Sequence, residues 1–273
     1  MQAALQRRIQ RYGWDKAAPD YESYWSRQIA PAQEKLLEMA ALQPGDFVLD
    51  VACGTGLVTF AAAGQVGRAG SLVGTDISEE MVNRCRAAAS ASRIGNVAFL
   101  RMDAEQLRFQ DNVFDAALCS LGLMYVPDPD QALAEMCRVV RPGGRAVASV
   151  WGDRKHCGWA GIFPIVDARV KSDVCPMFFQ LGTGDNLVDA FQDAGYDGIR
   201  AERLKTTLHY SSPEDACGAA FAGGPVAMAY SRFDEPTRRA AHAEYIESIA
   251  EYRNGNGYAI PGEFVVVSAR KPD

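Results

Sequence analysis

The chain has 273 residues, 48% of them apolar and 23% charged, which suits one large α/β domain with a sizeable core. Lys and Arg number 28 against 34 Asp and Glu, for a net charge of -6, and no basic run breaks this balance. A polynucleotide partner is therefore not expected, because phosphate binding needs clustered positive charge.

In chain order, the first stretch carries Arg7, Arg8 and Arg11 with no acid before Asp15. It weakly matches an organelle transit peptide, but a solvated N-terminal helix is the preferred reading. From residue 47 to about 150, short apolar runs alternate with helical patterns, the signature of βαβ units on a parallel sheet. Pro44 and Gly45 set up a first strand over Phe47–Val51, and a helix over residues 57–63 follows. A second strand covers 71–75. Ser78 then caps a helix with Met81, Val82, Cys85 and Ala89 on one face. Third and fourth strands cover 97–100 and 114–119. Leu133, Met136, Cys137 and Val140 predict a helix that stops at Pro142, and Gly143 and Gly144 turn the chain into a fifth strand over 145–150.

Beyond Trp151 a helix is expected over 186–194, with Gly195 as its stop, and late strands over 199–204 and 264–268. The stretch between those strands is too long for a hairpin loop. Ser212-Pro213 and Asp234-Glu235-Pro236 read as helix starts, and Gly223-Gly224-Pro225 as a flexible break. Ala241, Tyr245, Ile249 and Tyr252 fall along one face. Residues 210–261 are accordingly expected to form a helical cap over the substrate site, within a single domain spanning 1–273. A structural flap or dimer face is the rival reading of this insert, and a homodimer stays open.

None of the seven cysteines falls in C-x-x-C spacing, so neither a disulfide framework nor a zinc site is expected. No segment is long and apolar enough to span a bilayer, and no signal-peptide core is present. A cytoplasmic protein with no membrane partner is the expectation.

Chemistry concentrates at the ends of the first two strands. The first strand runs into Asp50-Val51-Ala52-Cys53-Gly54-Thr55-Gly56. A glycine-rich turn at the carboxyl end of a parallel strand lets a ligand approach the backbone where a Cβ would clash. Asp76 ends the second strand, placed to accept hydrogen bonds from a ribose diol. A dinucleotide site would carry a third glycine where Thr59 stands, and no charge such as Asp50 at the strand end. Both departures count against an NAD-dependent oxidoreductase.

Val48-Leu49-Asp50-Val51-Ala52-Cys53-Gly54-Thr55-Gly56 resembles motif I of class I S-adenosylmethionine (SAM)-dependent methyltransferases, in the small-molecule branch that includes the ubiquinone/menaquinone biosynthesis methyltransferases. Gly74-Thr75-Asp76-Ile77-Ser78, Met102-Asp103-Ala104-Glu105-Gln106-Leu107, Gly122-Leu123-Met124-Tyr125-Val126-Pro127-Asp128 and Arg141-Pro142-Gly143-Gly144 are similar to later motifs in the same order. The resemblance is strong over 15–152. It implies a doubly wound, mostly parallel sheet of seven strands with the last antiparallel, and SAM as cofactor.

It also implies roles. The backbone around Asp50, Ala52, Gly54 and Gly56 would hold the methionine moiety, and Ser120 would line it. Asp76 would bind the ribose, and Ile77 and Met81 would pack on the adenine. Asp103, beside the Ala104 backbone, would accept from the adenine amino group, and Tyr21 would close over the cofactor. The implied function is methyl transfer to oxygen, carbon or nitrogen of a small organic acceptor, with a SAM-binding domain that does not transfer methyl as a further alternative. His156, placed after the fifth strand, His209, past the sixth, and His242, in a helix, each read as ordinary histidines, so no catalytic base is assigned.

Overall fold

The computed structural model describes residues 3–170 and 177–273; Cys175 lies outside the described residues. Two helices lead in, α1 (Ala3–Ala17) and α2 (Tyr21–Ala40). The core follows as β1 (Phe47–Val51), α3 (Leu57–Val66), β2 (Ser71–Asp76), α4 (Glu79–Ser92), β3 (Val97–Arg101), β4 (Phe114–Ser120), α5 (Pro129–Val139) and β5 (Val140–Trp151). Then come α6 (Ile162–Asp167), α7 (Asn186–Asp193), β6 (Asp197–Tyr210), α8 (Pro213–Phe221), α9 (Gly224–Tyr230), α10 (Glu235–Ser248), a short β7 (Arg253–Asn254) and β8 (Gly257–Arg270).

The strands form one sheet in the order β3-β2-β1-β4-β5-β8-β6, with β7 paired to β8 off this path. Neighbours from β3 to β5 pair in parallel, and β8 runs antiparallel to both β5 and β6. The expected seven-stranded sheet with an antiparallel last strand is present, and β7 is an addition to it. Chain order reverses between β1 and β4, so their carboxyl ends flank the crevice where such sheets bind ligands.

Alternation along the strands builds two cores. Val48, Ala116, Leu118, Val147 and Val266 pack with Leu36 of α2 and with Ala62 and Val66 of α3. Their sequence neighbours Leu49, Ala117, Cys119, Ala148 and Val267 face the other way, into a core shared with α5, α7 and the late helices. Strands covered on both faces read as continuous apolar runs, which is why they were visible in the sequence.

Several boundaries differ from the sequence expectations. α5 ends at Val139, and Val140 already pairs with Phe114 as part of β5. Pro142 disfavours helical geometry at the residue before it, and consecutive β-branched Val139 and Val140 favour extension. β6 and β8 each run for 14 residues, far longer than the apolar cores of these strands suggest. Most of β6 is exposed, so its polar positions disguise it, and His209 lies within it rather than past it. The chain does break before Gly224, with α8 ending at Phe221, but Gly224 and Pro225 already form the first turn of an additional helix, α9. α1 is not simply solvated, because Gln10, Gly13 and Ala17 on it are buried.

The expected caps are present: the side chains of Ser78, Ser212 and Asp234 accept from the backbone N–H of Met81, Asp215 and Thr237. Ala241, Tyr245 and Ile249 form the expected buried stripe, although α10 ends at Ser248 and Tyr252 is only half-buried. The inserted part lies between Tyr210, which ends β6, and Gly257, which starts β8, so residues 257–261 belong to the sheet.

Candidate active site

The site grows from the loop after β1. Ala52 adopts φ 55° and Gly54 φ 55°, folding the chain back under the strand tips. A Cβ built on Gly54 meets nothing within 4 Å, so this backbone faces open cavity. Leu121, after β4, mirrors Ala52 with φ 58°. Left-handed non-glycine residues are uncommon and cost of order 1 kcal/mol each, and both lie where β1 and β4 diverge. Gly122 lets the two loops touch: a Cβ there would stand 2.5 Å from that of Ala52.

Asp76 organises the glycine turn. Its side chain is 7% exposed, with Oδ2 accepting from the Gly54 N–H and Oδ1 from the Ser78 N–H, both at 2.9 Å. Burial raises its pKa to about 6, against the lowering effect of those backbone donors. Asp50 is more deeply enclosed, at 1% exposure, and burial lifts it to about 7. Its Oδ2 accepts from Thr59 Oγ1 at 2.5 Å, while Oδ1 has no partner. Thr59, in the place of a dinucleotide site's third glycine, thus serves the buried acid.

Around this turn opens one cavity, lined among others by Tyr21, Ala52, Gly54, Asp76, Ile77, Met81, Asp103, Ala104 and Ser120. Asp50 and Gly56 are not among its lining residues. Asp50 sits behind the loop, and Gly56 (φ 91°) caps the start of α3 with a Cβ position 2.7 Å from the Phe60 ring, so its requirement is for backbone conformation and packing.

The cavity has a polar end and an aromatic end. Asp76 and Asp103 stand at the tips of β2 and β3. Asp103 Oδ1 accepts from the Glu105 N–H at 3.0 Å, and Oδ2 lies 3.1 Å from Arg7 Nε on α1. Tyr21, the first residue of α2, lies between Asp76 and Trp14: burial and the nearby carboxylate push its phenol upward, and its ring meets Trp14 edge-on at 5.7 Å. The far end is walled by Trp25, Trp151, Trp159, Ile162, Phe163 and Phe178. Trp159 packs 4.8 Å from Trp151 and 5.6 Å from Phe178, centroid to centroid. Ala220 of α8 and Pro225 and Val226 of α9 close the top, beside α1.

Sequence reading missed Arg7, Gln10 and Trp14 on α1 and the whole aromatic wall. One signal was available: the chain has 4 tryptophans, and Trp14, Trp25, Trp151 and Trp159 all line this cavity. The histidines do not line it. His156 Nδ1 lies 3.0 Å from Glu263 Oε1, the backbone of His209 bonds the Gln28 side chain, and His242 Nε2 lies 2.9 Å from the Tyr230 hydroxyl. Among the described residues the cysteines are free, no His/Cys/Asp/Glu group could hold a metal ion, and no helix is long and apolar enough to cross a membrane.

The strand order, the switch between β1 and β4 and the acid-tipped glycine turn define a class I methyltransferase-type fold. Residues 48–144 match the methyltransferase-domain family. The chain is 40% identical over 115 residues to the demethylmenaquinone methyltransferase of Bacillus cereus, covering 42% of this chain and 48% of that protein. It therefore spans about half the length of the curated relatives it matches. Among solved structures it resembles phosphoethanolamine N-methyltransferase 2 of Haemonchus contortus, in complex with S-adenosyl-L-methionine, at TM-score 0.62 and 15% identity, over 95% of this chain and 57% of that one. It also resembles the [4+2]-cyclase SpnF at TM-score 0.56 and 22% identity, over 89% and 80% of the two chains.

Proposed function

We propose that the domain binds SAM and transfers its methyl group to a small, flat, apolar acceptor of the quinone type. The observation that carries this reading is a single cavity in which a polar end between Asp76 and Asp103 runs into a wall of tryptophan and phenylalanine. The residues present fit the cofactor: the buried carboxylate of Asp76 suits a ribose diol, Gly54 leaves space beside its backbone, and Ile77 and Met81 offer an apolar surface for adenine. Ser120 and the Ala52–Gly54 backbone would border the methionine portion. When bound, SAM supplies an electrophilic methyl group on a sulfonium.

The chain's own contribution would be alignment and exclusion of water. No carboxylate, imidazole or amine belongs to the residues named at the aromatic end, and the Tyr21 phenol, pushed upward, stays protonated. The acceptor would therefore bring its own nucleophilic atom, as an electron-rich ring or its oxygen does. The helices over residues 211–256 would act as a cap on the acceptor end, a reading supported by Ala220, Pro225 and Val226 in the cavity lining.

Thermal melting with SAM, S-adenosylhomocysteine and NAD in parallel tests the cofactor, and transfer of labelled methyl to naphthoquinols and to polar amines tests the acceptor. Stabilisation by the first two alone, with label in the naphthoquinols, is expected. Stabilisation by NAD instead would overturn the cofactor assignment. Binding of SAM without transfer to any acceptor would favour a non-methylating use of the fold, the fold that the cyclase SpnF shares.

A further inference from the structure

Helix α1 crosses the open side of the cavity's polar end, and two anchors fix where it lies. Near its start Arg7 Nε is 3.1 Å from Asp103 Oδ2 and 2.7 Å from Glu105 Oε2, at the tip of β3. Near its end Asp15 Oδ1 accepts from Ser78 Oγ at 2.6 Å and from the Glu80 N–H at 3.2 Å, two residues past Asp76 and at the start of α4. Eight residues of helix cover about 12 Å, so α1 bridges the two carboxylates that flank the polar end.

Gln10 sits between these anchors, one turn from Arg7 and on the same face. It is 5% exposed and lines the cavity, yet its Oε1 is buried without a hydrogen-bond partner. Burying an amide oxygen unpaired is unfavourable, and native chains rarely tolerate it without a reason. No hydrogen bond from a neighbouring side chain reaches it. Arg7 engages Asp103 and Glu105, and Asp15 engages Ser78 and Glu80.

We infer that Gln10 is a cofactor-reading residue whose side-chain amide pairs with the purine edge of the ligand held between Asp76 and Asp103. This rests on the proposed SAM-binding function. An amide presents a donor beside an acceptor, the pattern that matches the amino group and adjacent ring nitrogen of adenine. The adenine amino group carries two N–H donors, so Asp103 and Gln10 can share it. On the edge formed by the amino group and N7, hypoxanthine presents two acceptors, O6 and N7, and leaves the amide oxygen unpaired. Helix α1 is then part of the binding surface as well as its cover.

Calorimetric titration of S-adenosylhomocysteine and S-inosylhomocysteine into the wild type, Gln10→Leu and Gln10→Glu tests this. The wild type should prefer the adenine ligand. Gln10→Leu should weaken adenine binding roughly five- to a hundredfold and lose much of the preference. Gln10→Glu keeps the shape and the acceptor but loses the donor and adds a charge, so loss of the adenine-over-hypoxanthine preference, rather than of affinity alone, reports the hydrogen bond, and it carries the test if the leucine variant does not fold. Hydrogen exchange in α1 should slow on ligand addition in the wild type, and less in the variants. Wild-type affinity and preference in both variants would overturn the role of Gln10 while leaving the proposed function standing. Failure of the wild type to bind S-adenosylhomocysteine would instead overturn the proposed function, and the role of Gln10 with it.

Discussion

Asp76 carries the most demanding prediction, because its carboxylate has two duties. It holds the Gly54 and Ser78 N–H groups, and in the proposed complex it also accepts from the ribose diol. Asp76→Ala removes both duties, leaving two backbone donors without their partner at about 1–3 kcal/mol each if they stay buried. The fold should then lose several kcal/mol, so this variant confounds stability with affinity. Asp76→Asn keeps the shape and one acceptor oxygen but loses the charge and half of the accepting capacity. Charge-assisted hydrogen bonds contribute about 1.5–3 kcal/mol each, so losing one or two weakens cofactor binding by roughly ten- to ten-thousandfold or more. Calorimetry with S-adenosylhomocysteine on the folded asparagine variant measures this, with a thermal melt to verify folding. An affinity within threefold of the wild type would refute the role given to Asp76.

The raised acids make the chain sensitive to pH in a defined direction. Asp50 at about 7 and Asp76 at about 6 hold protons that the unfolded chain releases near pH ~4. Their contribution to stability is therefore present in acid and declines as pH rises from about 4 through about 7. Ligand binding should run the other way, strengthening as Asp76 ionises near pH 6, and Asp76→Asn should flatten the binding trend while leaving the part of the stability trend that Asp50 carries, in titrations and melts run across this range. Thr59→Gly, which restores a third glycine, strips the hydroxyl from buried Asp50 and should cost about 2–4 kcal/mol in denaturant unfolding, while Thr59→Ser stays near the wild type; equal effects would contradict the hydroxyl's role. Gly13→Ala places a Cβ 2.6 Å from the Gly224 carbonyl oxygen, so α1 and α9 must part, at about 1–3 kcal/mol on the same assay.

What was legible in the sequence was local. The glycine turn, Asp76 and Asp103 announce themselves because strand, turn and helix start lie within a few residues of one another, each with its own signal. Asp50 and Gly56 belonged to the same motif yet stand outside the cavity lining, since sequence adjacency does not say which side of a loop a residue faces. The aromatic wall was not legible. Trp25, Trp151, Trp159 and Phe178 come from distant segments, and in sequence a cavity wall and a packed core are the same residue types. Gln10 was hidden for another reason: a polar residue on a short N-terminal helix looks solvated until something covers it, and what buries α1 here includes α9, more than 200 residues further along the chain.

That division bears on how far the relatives speak for this protein. The methyltransferase-domain match covers residues 48–144 and takes in Asp76, Asp103 and Ser120 from the cavity. Trp151, Trp159, Phe163, Phe178, Ala220 and Val226 all come after it, and Gln10, Trp14 and Trp25 come before it. The strand-tip residues that would hold the cofactor thus lie within the matched segment, with Gln10 and Tyr21 added from before it, and the aromatic end is built mainly from segments outside that match. A relative's named acceptor bears on this chain only so far as it suits walls the matched segment does not contribute. Those walls are aromatic and apolar, without the charged groups that a phosphate- or amine-bearing acceptor would require on desolvation. The case for an apolar ring therefore rests on this chain's own tryptophans, and the name of the Bacillus cereus relative agrees with it without being its ground.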